Sequence, residues 1–431
     1  MMKEKAIYFC NSCGNEQSRW AGRCPVCGEW NSLVEAKTTI DSAGKKASPV
    51  DLITLEKLPL KQKHRLVTGI SEFDRVMGGD DPGLVAGSVV LLAGSPGVGK
   101  STLLLQIAAK VKQTTYFSAE ESLEQIGLRA RRLQLDKSDL RLAADRDLSA
   151  IIATLTKEKP SLAIIDSIQT VFDETVPGIP GSIAQVRDNC WKLQQIAKQL
   201  GTAIILVGHI TKEGVIAGPK ALEHLVDAVF YLEGERRTGL RLLRSEKNRF
   251  GPTDEVGFWQ LTSSGFQPVD DPGKLFASLT TEPVPGRALS ITNEGSRAFV
   301  VEIQALVSPT AFGYPKRAAQ GVDLNRLNLL LAVLENRLAL PLDKYDVFIN
   351  VVGGFSLRDP GVDLAIAGAV LSGLKRHALP DRTVLIGEIG LLGEVRGVFD
   401  QARREKEAKR LKYSWADVGK TVGGLRELVK G

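Results

Sequence analysis

The chain of 431 residues contains no run of about 18 apolar residues, so nothing in it is long enough to cross a bilayer as a helix. Its opening residues, Met1-Met2-Lys3-Glu4-Lys5-Ala6-Ile7-Tyr8-Phe9-Cys10, carry no apolar core and no small-residue cleavage site, and no secretory signal is visible. Cysteine is scarce: five in all, with four at positions 10, 13, 24 and 27 and Cys190 standing alone. Secreted disulfide scaffolds are short and cysteine-dense, so this distribution points to the reducing cytosol. Neither sign of charge dominates, with 56 Lys and Arg against 50 Asp and Glu. The net +6 permits nucleic acid as a partner without arguing for it. No low-complexity tract and no repeat with a period of roughly 20–50 residues is present. What remains is a globular composition, 43% hydrophobic and 25% charged, long enough for about three domains.

Composition shifts divide the chain. The first 34 residues form a short stretch rich in Gly and Cys, with Trp20 and Trp30. The polar, aperiodic stretch at 35–59 reads as a linker. From about 60 to 267, apolar runs alternate with helical patterns, as in a parallel α/β sheet, with strands expected at 88–93, 115–118, 162–165, 203–207, 228–232 and 240–244. A Pro- and Gly-rich passage (Asp271-Pro272-Gly273, then Pro283-Val284-Pro285-Gly286) opens an α+β pattern over 268–431. There the expected strands are 299–307, 347–352 and 383–389, with a buried helix at 362–374 and a charged one at 401–412.

Cys10-x-x-Cys13 and Cys24-x-x-Cys27 have the spacing at which two thiolates of a pair face one ion, and Gly14 and Gly28 suit the turns that close metal knuckles. Four thiolates at about 2.3 Å make a closed tetrahedral zinc site, structural rather than catalytic. Metal binding would then supply folding energy, on the order of 10 kcal/mol, to a segment too small to fold on its apolar residues. Redox disulfides and reduced core cysteines are the alternatives.

Gly94-Ser95-Pro96-Gly97-Val98-Gly99-Lys100-Ser101 fits the phosphate-binding loop G-x-x-x-x-G-K-[ST], led in by an apolar strand and continued by a helix from Thr102. In such a loop backbone N–H groups cradle the phosphates of a nucleoside triphosphate, the lysine reaches the β and γ oxygens, and the serine hydroxyl ligates magnesium. Asp166, ending Leu162-Ala163-Ile164-Ile165, suits the second magnesium-side carboxylate. Glu120 and Glu121 follow the next strand. One of them, with Glu120 favoured, can act as general base on the attacking water; alternatively both merely open a helix with their charges at its positive end. His209 ends a strand where a polar side chain can sense the γ-phosphate, or where a histidine is simply structural. Lys247-Asn248-Arg249-Phe250-Gly251 presents two cations on a short turn, either as a charged hairpin or as a contribution to a neighbouring subunit's phosphate site.

These elements stand in one order along the chain. With Tyr116-Phe117-Ser118-Ala119-Glu120-Glu121-Ser122, Ile165-Asp166-Ser167-Ile168-Gln169-Thr170, Val207-Gly208-His209-Ile210-Thr211-Lys212-Glu213-Gly214 and Gly218-Pro219-Lys220, they closely resemble the bacterial RadA (Sms) family of DNA repair and recombination ATPases. The Lys-Asn-Arg-Phe-Gly turn is highly specific to that family. The resemblance covers nearly the whole chain. It implies an α/β architecture with a zinc finger at 1–34, a RecA-like P-loop ATPase core at 60–267 and a Lon-protease-like domain at 268–431. It further implies a homo-hexameric ring using ATP and Mg2+, with structural Zn2+, that translocates on single-stranded DNA to drive branch migration with the recombinase RecA. In RecA-like cores two loops line the central channel, here 170–187 and 210–220, which makes Arg187, Lys212 and Lys220 candidate phosphate contacts and suggests mobile loops that order on the strand. Lys316, Arg317 and Arg326 form a further basic group, suited to DNA or to ring contacts. Lon-type proteases use a Ser–Lys dyad, yet the matching segment, Leu357-Arg358-Asp359-Pro360-Gly361-Val362-Asp363-Leu364, has no serine in register and the nearest lysine past the second segment is Lys406. Without an activated nucleophile there is no acyl-enzyme chemistry, so a ring scaffold is expected in place of a protease. An ATP-dependent protease and a P-loop kinase or clock-type ATPase without DNA are the rival functions.

Overall fold

Among the described residues before position 37 the buried apolar cluster is small, Cys10, Cys24 and Leu33, and backbone pairing accompanies it. The computed structural model describes residues 7–10, 15–26, 28–36, 54, 64–135, 138–209, 219–234, 239–277, 283–311 and 313–429. In it Ile7–Cys10 (β1) pairs antiparallel with both Glu16–Gln17 (β2) and Leu33–Ala36 (β3). Cys13, Cys27 and Lys212, with most of the expected linker, lie outside the described residues. The chain separates into two units, Met1–Pro268 and Val269–Gly431.

In the first unit, strands with continuous apolar sequence are covered on both faces, as such strands require. Val89–Gly94 (β4), Thr114–Ser118 (β5), Arg141–Ala144 (β6), Leu162–Asp166 (β7), Ala203–His209 (β8), Ala228–Gly234 (β9), Leu240–Asn248 (β10), Val256–Thr262 (β11) and Gly265–Pro268 (β12) form one sheet in the order β12-β11-β10-β9-β4-β8-β7-β5-β6. Successive side chains alternate across it. Val90 and Leu92 join Leu103, Leu104 and Ile107 of the helix Lys100–Lys110 (α1) on one face. Val89 and Leu91 join Ile151 of Leu148–Glu158 (α3) and Leu193 of Ile183–Leu200 (α4) on the other. Cys190 is part of that second core, where burial pushes its thiol up to about 12. The helix Leu123–Arg132 (α2) opens on a capping box between Ser122 and Gln125, which satisfies two end donors at once.

The sheet is parallel from β9 through β4, β8, β7 and β5 to β6, but its other edge is not. β9 to β12 run antiparallel, with few residues between successive strands, so the expectation of a parallel sheet holds only for the nucleotide-side half. β10 also extends further than expected, to Asn248, which puts Lys247 on a strand and leaves only Arg249, Phe250 and Gly251 in the turn.

In the second unit, Arg287–Glu294 (β13), Arg297–Pro309 (β14), Arg317–Gln320 (β15), Tyr345–Val351 (β16), Thr383–Val384 (β17) and Ser414–Trp415 (β18) form a sheet in the order β15-β16-β14-β13-β17-β18. The helix Asp363–Lys375 (α6) is apolar nearly all round and buries its first ten residues. The expected strand at 383–389 is broken after Val384, because the chain turns to bond Gly361 and Leu364 through Gly387, and pairing resumes at Glu388–Ile389 with Val395–Arg396. Asp359 and Asp363 are each held by a guanidinium: Arg404 reaches Asp359 at 2.7 Å, and Arg326, from the helix Leu324–Leu338 (α5), makes a two-pronged pair with Asp363.

Candidate active site

The phosphate-binding loop leaves the end of β4 and enters α1 through residues that tolerate no larger neighbours. A Cβ on Gly94 would lie 2.5 Å from Leu232 O, and one on Gly99 would lie 2.8 Å from the Phe266 ring. Gly97 and Gly99 both take positive φ, and above Gly97 there is open space, the cradle a phosphate needs. Ser95, Pro96 and Gly97 are exposed, while Val98 packs inward and its carbonyl accepts from the buried Arg241 guanidinium of β10 at 2.9 Å. Ser101 and Thr102 follow in the first turn of α1.

Lys100 is buried, with Nζ donating to Gly94 O at 2.8 Å and to Ser95 O at 3.3 Å, and lying 3.1 Å from His209 Nδ1. Burial lowers its pKa, opposed by the charges of Asp166 and Glu120. The ammonium is thus satisfied by its own loop and by the histidine.

Parallel strand order brings the remaining groups to the same sheet edge, where ligands of open α/β sheets bind. Asp166 ends β7 next to β5, and accepts from the buried Tyr116 hydroxyl at 2.5 Å. That bond and burial push the Tyr116 phenol well above its ordinary range, burial first. Asp166 and Ser101 are the oxygen donors that could hold a magnesium ion. Glu120 faces the site and Glu121 does not. Glu120 Oε1 accepts from Ser167 Oγ and lies 3.4 Å from His209 Nε2, whereas Glu121 pairs with Arg129 of α2 at 2.6 Å. His209 holds the Glu120 carboxyl below the usual carboxylate range, outweighing the burial that pushes it up, with Ser167 and Lys100 adding to the effect. The His209 backbone is clamped in turn by the Gln169 amide, which donates to its carbonyl at 3.0 Å and accepts from its N–H at 3.1 Å.

Ser167, Tyr116, Gln169 and Arg241 were not singled out from sequence for any role. Ser167 and Gln169 sit in a motif next to Asp166, which is the only available signal. Tyr116 opens the motif that carries Glu120, but nothing local points to its bond with Asp166, and Arg241 lies in no motif.

Elsewhere the candidates divide. Lys247 Nζ donates to Glu223 O at 2.5 Å and Val226 O at 2.8 Å within its own subunit, and Arg249, about half exposed, lies 3.6 Å from Asp227. Arg187 is exposed but lies on α4, and Lys220 is exposed in the short helix Pro219–Ala221. The loop between β7 and α4 ends at Ser182, earlier than expected, and is tied to α4: Gln185 bonds Asp173 and Val176, and Asn189 bonds Val171 O. Arg326 is committed to Asp363, and Arg317 donates to Leu342 O, so these two are tied down within the second unit. Ser356 is exposed at the rim of a cavity of about 670 Å3 that Asp359, Asp363 and Arg326 also line.

In the N-terminal segment, Cys10 and Cys24 are buried together with Leu33. Both begin the same closure: Cys10 N–H donates to Asn15 O and Cys24 N–H to Glu29 O, each at 2.9 Å, and Gly28 turns with φ 75°. A backbone bond from each cysteine to the residue five positions on, with each thiol buried, fits a metal site.

Residues 8–35 match the family of rubredoxin metal binding domains, and residues 80–215 match that of AAA domains. Over 419 residues the chain is 45% identical to the DNA repair protein RadA of Pseudomonas aeruginosa, covering 95% of this chain and 91% of that one. The proteins of the same name from Campylobacter jejuni and Bacillus subtilis are 44% and 42% identical, across 97% and 96% of this chain and 94% and 92% of theirs. A KaiC-like protein from Pyrococcus horikoshii of known structure is 17% identical, with a TM-score of 0.39 over 48% of this chain and 99% of that one.

Proposed function

The chain belongs to the RadA family of DNA repair proteins, and from that premise we propose that it is a DNA-dependent ATPase of homologous recombination that translocates on single-stranded DNA and drives branch migration. The observation that carries the reading is the convergence of Lys100, Glu120, Asp166 and His209 beside an open glycine cradle. On binding ATP, Lys100 leaves the Gly94 and Ser95 carbonyls for the β and γ oxygens, and backbone N–H groups of residues 94–102 hold the phosphates. Ser101 and Asp166 would hold a magnesium ion, which would supply charge neutralisation for the transferring phosphoryl group. Glu120 takes the proton of the attacking water. His209 contacts both Lys100 and Glu120, so it feels the arrival and departure of the γ-phosphate and can relay it into the following loop.

Lys247 and Arg249 act in trans, on a neighbouring subunit's ATP, within a homo-hexamer. Their cations belong to a strand end and turn outside the loop that cradles their own subunit's nucleotide. Arg187, Lys212 and Lys220 contact DNA phosphates, and affinity falls steeply with salt as counterions are released. Zn2+ is the metal of the four cysteines, RecA the protein partner, the cytoplasm the compartment, and the second unit a ring scaffold without protease activity. Hydrolysis measured with and without single-stranded DNA, beside Lys100→Ala, tests this. DNA should stimulate the parent several-fold and the variant should be inactive; a parent rate indifferent to DNA contradicts it.

A further inference from the structure

Glu120 is about a third exposed, with 38% of its side chain accessible, so packing does not fix a carboxylate carried on three rotatable bonds. Its orientation is set by hydrogen bonding. Ser167, wholly buried, follows Asp166 at the end of β7, and its hydroxyl donates to Glu120 Oε1. The serine is itself fixed. Its carbonyl accepts from Thr170 Oγ1 at 2.9 Å and from the Thr170 N–H at 3.3 Å, and the next residue, Ile168, donates to Val207 O of β8 at 3.1 Å. The loops after β5 and β7 are also joined through Ala119 N–H and Asp166 O at 2.7 Å, so the hydroxyl and the carboxylate are carried on one rigid frame. Ser167 and His209 both address Oε1, and among the described residues Oε2 has no hydrogen-bond partner.

We propose that Ser167 is the positioning residue for the general base: its hydroxyl pins Oε1 of Glu120 and so assigns Oε2 to the attacking water. In the step this serves, the water oxygen forms its bond to the γ-phosphorus and its proton passes to Oε2. The bond from that phosphorus to the bridging oxygen breaks, leaving ADP and inorganic phosphate. A misdirected base loses rate without losing substrate, since neither Ser167 nor Glu120 belongs to the loop that binds the phosphates. This inference rests on the reading of Glu120 as the base.

The test compares Ser167→Ala, Ser167→Thr, Glu120→Gln and the double variant Ser167→Ala/Glu120→Gln in the full chain, by steady-state ATP hydrolysis and by binding of a fluorescent ADP. Ser167→Ala should lower kcat on the order of ten- to a hundredfold with KM and ADP affinity within about twofold. Ser167→Thr, which keeps the hydroxyl, should recover most of the rate. In the Glu120→Gln background the alanine should add nothing, because the residue acts only through that carboxylate. If Ser167→Ala is poorly folded by thermal melting, Ser167→Cys keeps the volume with a weak donor and is expected to show the same loss. Parent-like kcat in the folded Ala or Cys variant, or a rise in KM with kcat unchanged, overturns the proposal. So does an equal further loss in the Glu120→Gln background. A Glu120→Gln protein hydrolysing at the parent rate refutes instead the assignment of the base.

Discussion

At the scale of single residues, the account turns on two adjacent carboxylates with different surroundings. Glu120 meets His209 and Ser167 at the nucleotide site; Glu121 is spent on Arg129. Glu120→Gln should therefore bind ATP as the parent does and lose turnover, while Glu121→Gln should hydrolyse at close to the parent rate, its partly exposed ion pair contributing no more than about 1 kcal/mol. Hydrolysis by the first variant together with failure of the second would reverse the assignment. Lys100 was legible in the sequence because its chemistry lies in eight contiguous residues, Gly94 to Ser101. Ser167 and Tyr116 were not, because each acts on a residue of another strand. Their meaning depends on β5 lying beside β7, a fact of strand order that local pattern does not contain. The choice between Glu120 and Glu121 was open for the same reason: both follow one strand, and only the partners on neighbouring elements tell them apart.

At the scale of elements, continuous apolar runs located the strands that carry the site, since a strand covered on both faces must read that way. The antiparallel edge was misjudged. β10 alternates buried and less buried positions only toward its end, where Glu246, Lys247 and Asn248 look like turn chemistry, although Lys247 and Asn248 still pair with β9 across a bulge at Glu246. In the second unit, α6 was legible as a buried helix, but the ion pairs holding its start were not. Arg404 is 1% exposed, donates to Ile291 O and pairs with Asp359, which also accepts from Thr292 and the Asn293 N–H. Removing Arg404 leaves the largely buried Asp359 carboxylate with its hydrogen-bond donors but without its counter-charge. Arg404→Met should lower the stability of the second unit by about 3–5 kcal/mol, seen as an earlier calorimetric transition for residues 269–431. An unchanged transition would show that the pair is not structural.

At the scale of the whole molecule, the two four-residue cysteine motifs and the phosphate loop belong to separate stretches of sequence, and their failures should be separable. Cys24→Ser should release the metal and unfold the N-terminal segment, as measured by metal content and circular dichroism, while ADP affinity stays at the parent value. Metal content near zero in the parent would refute the site, and loss of nucleotide affinity in the variant would refute the separability. The ring reading makes a sharper demand. Lys247→Ala or Arg249→Ala should bind nucleotide yet hydrolyse poorly with DNA, and mixing either with Lys100→Ala should restore some hydrolysis at mixed interfaces. No recovery in verified mixed rings, with both parents inactive, counts against action in trans. Lys247 is at present bonded to Glu223 and Val226 carbonyls of its own chain, so this role requires those contacts to open when subunits meet.

On the proposed reading, hydrolysis at Lys100 and Glu120 moves DNA. The most direct measurement follows the extension of a three-stranded recombination joint in real time, with parent, Glu120→Gln, and parent supplied with a non-hydrolysable ATP analogue. Extension should occur with the parent and ATP alone, and in neither of the other two reactions, although all three bind the joint. Extension at the parent rate by Glu120→Gln or with the analogue would contradict that reading, as would a parent that hydrolyses ATP on DNA and leaves the joint where it was.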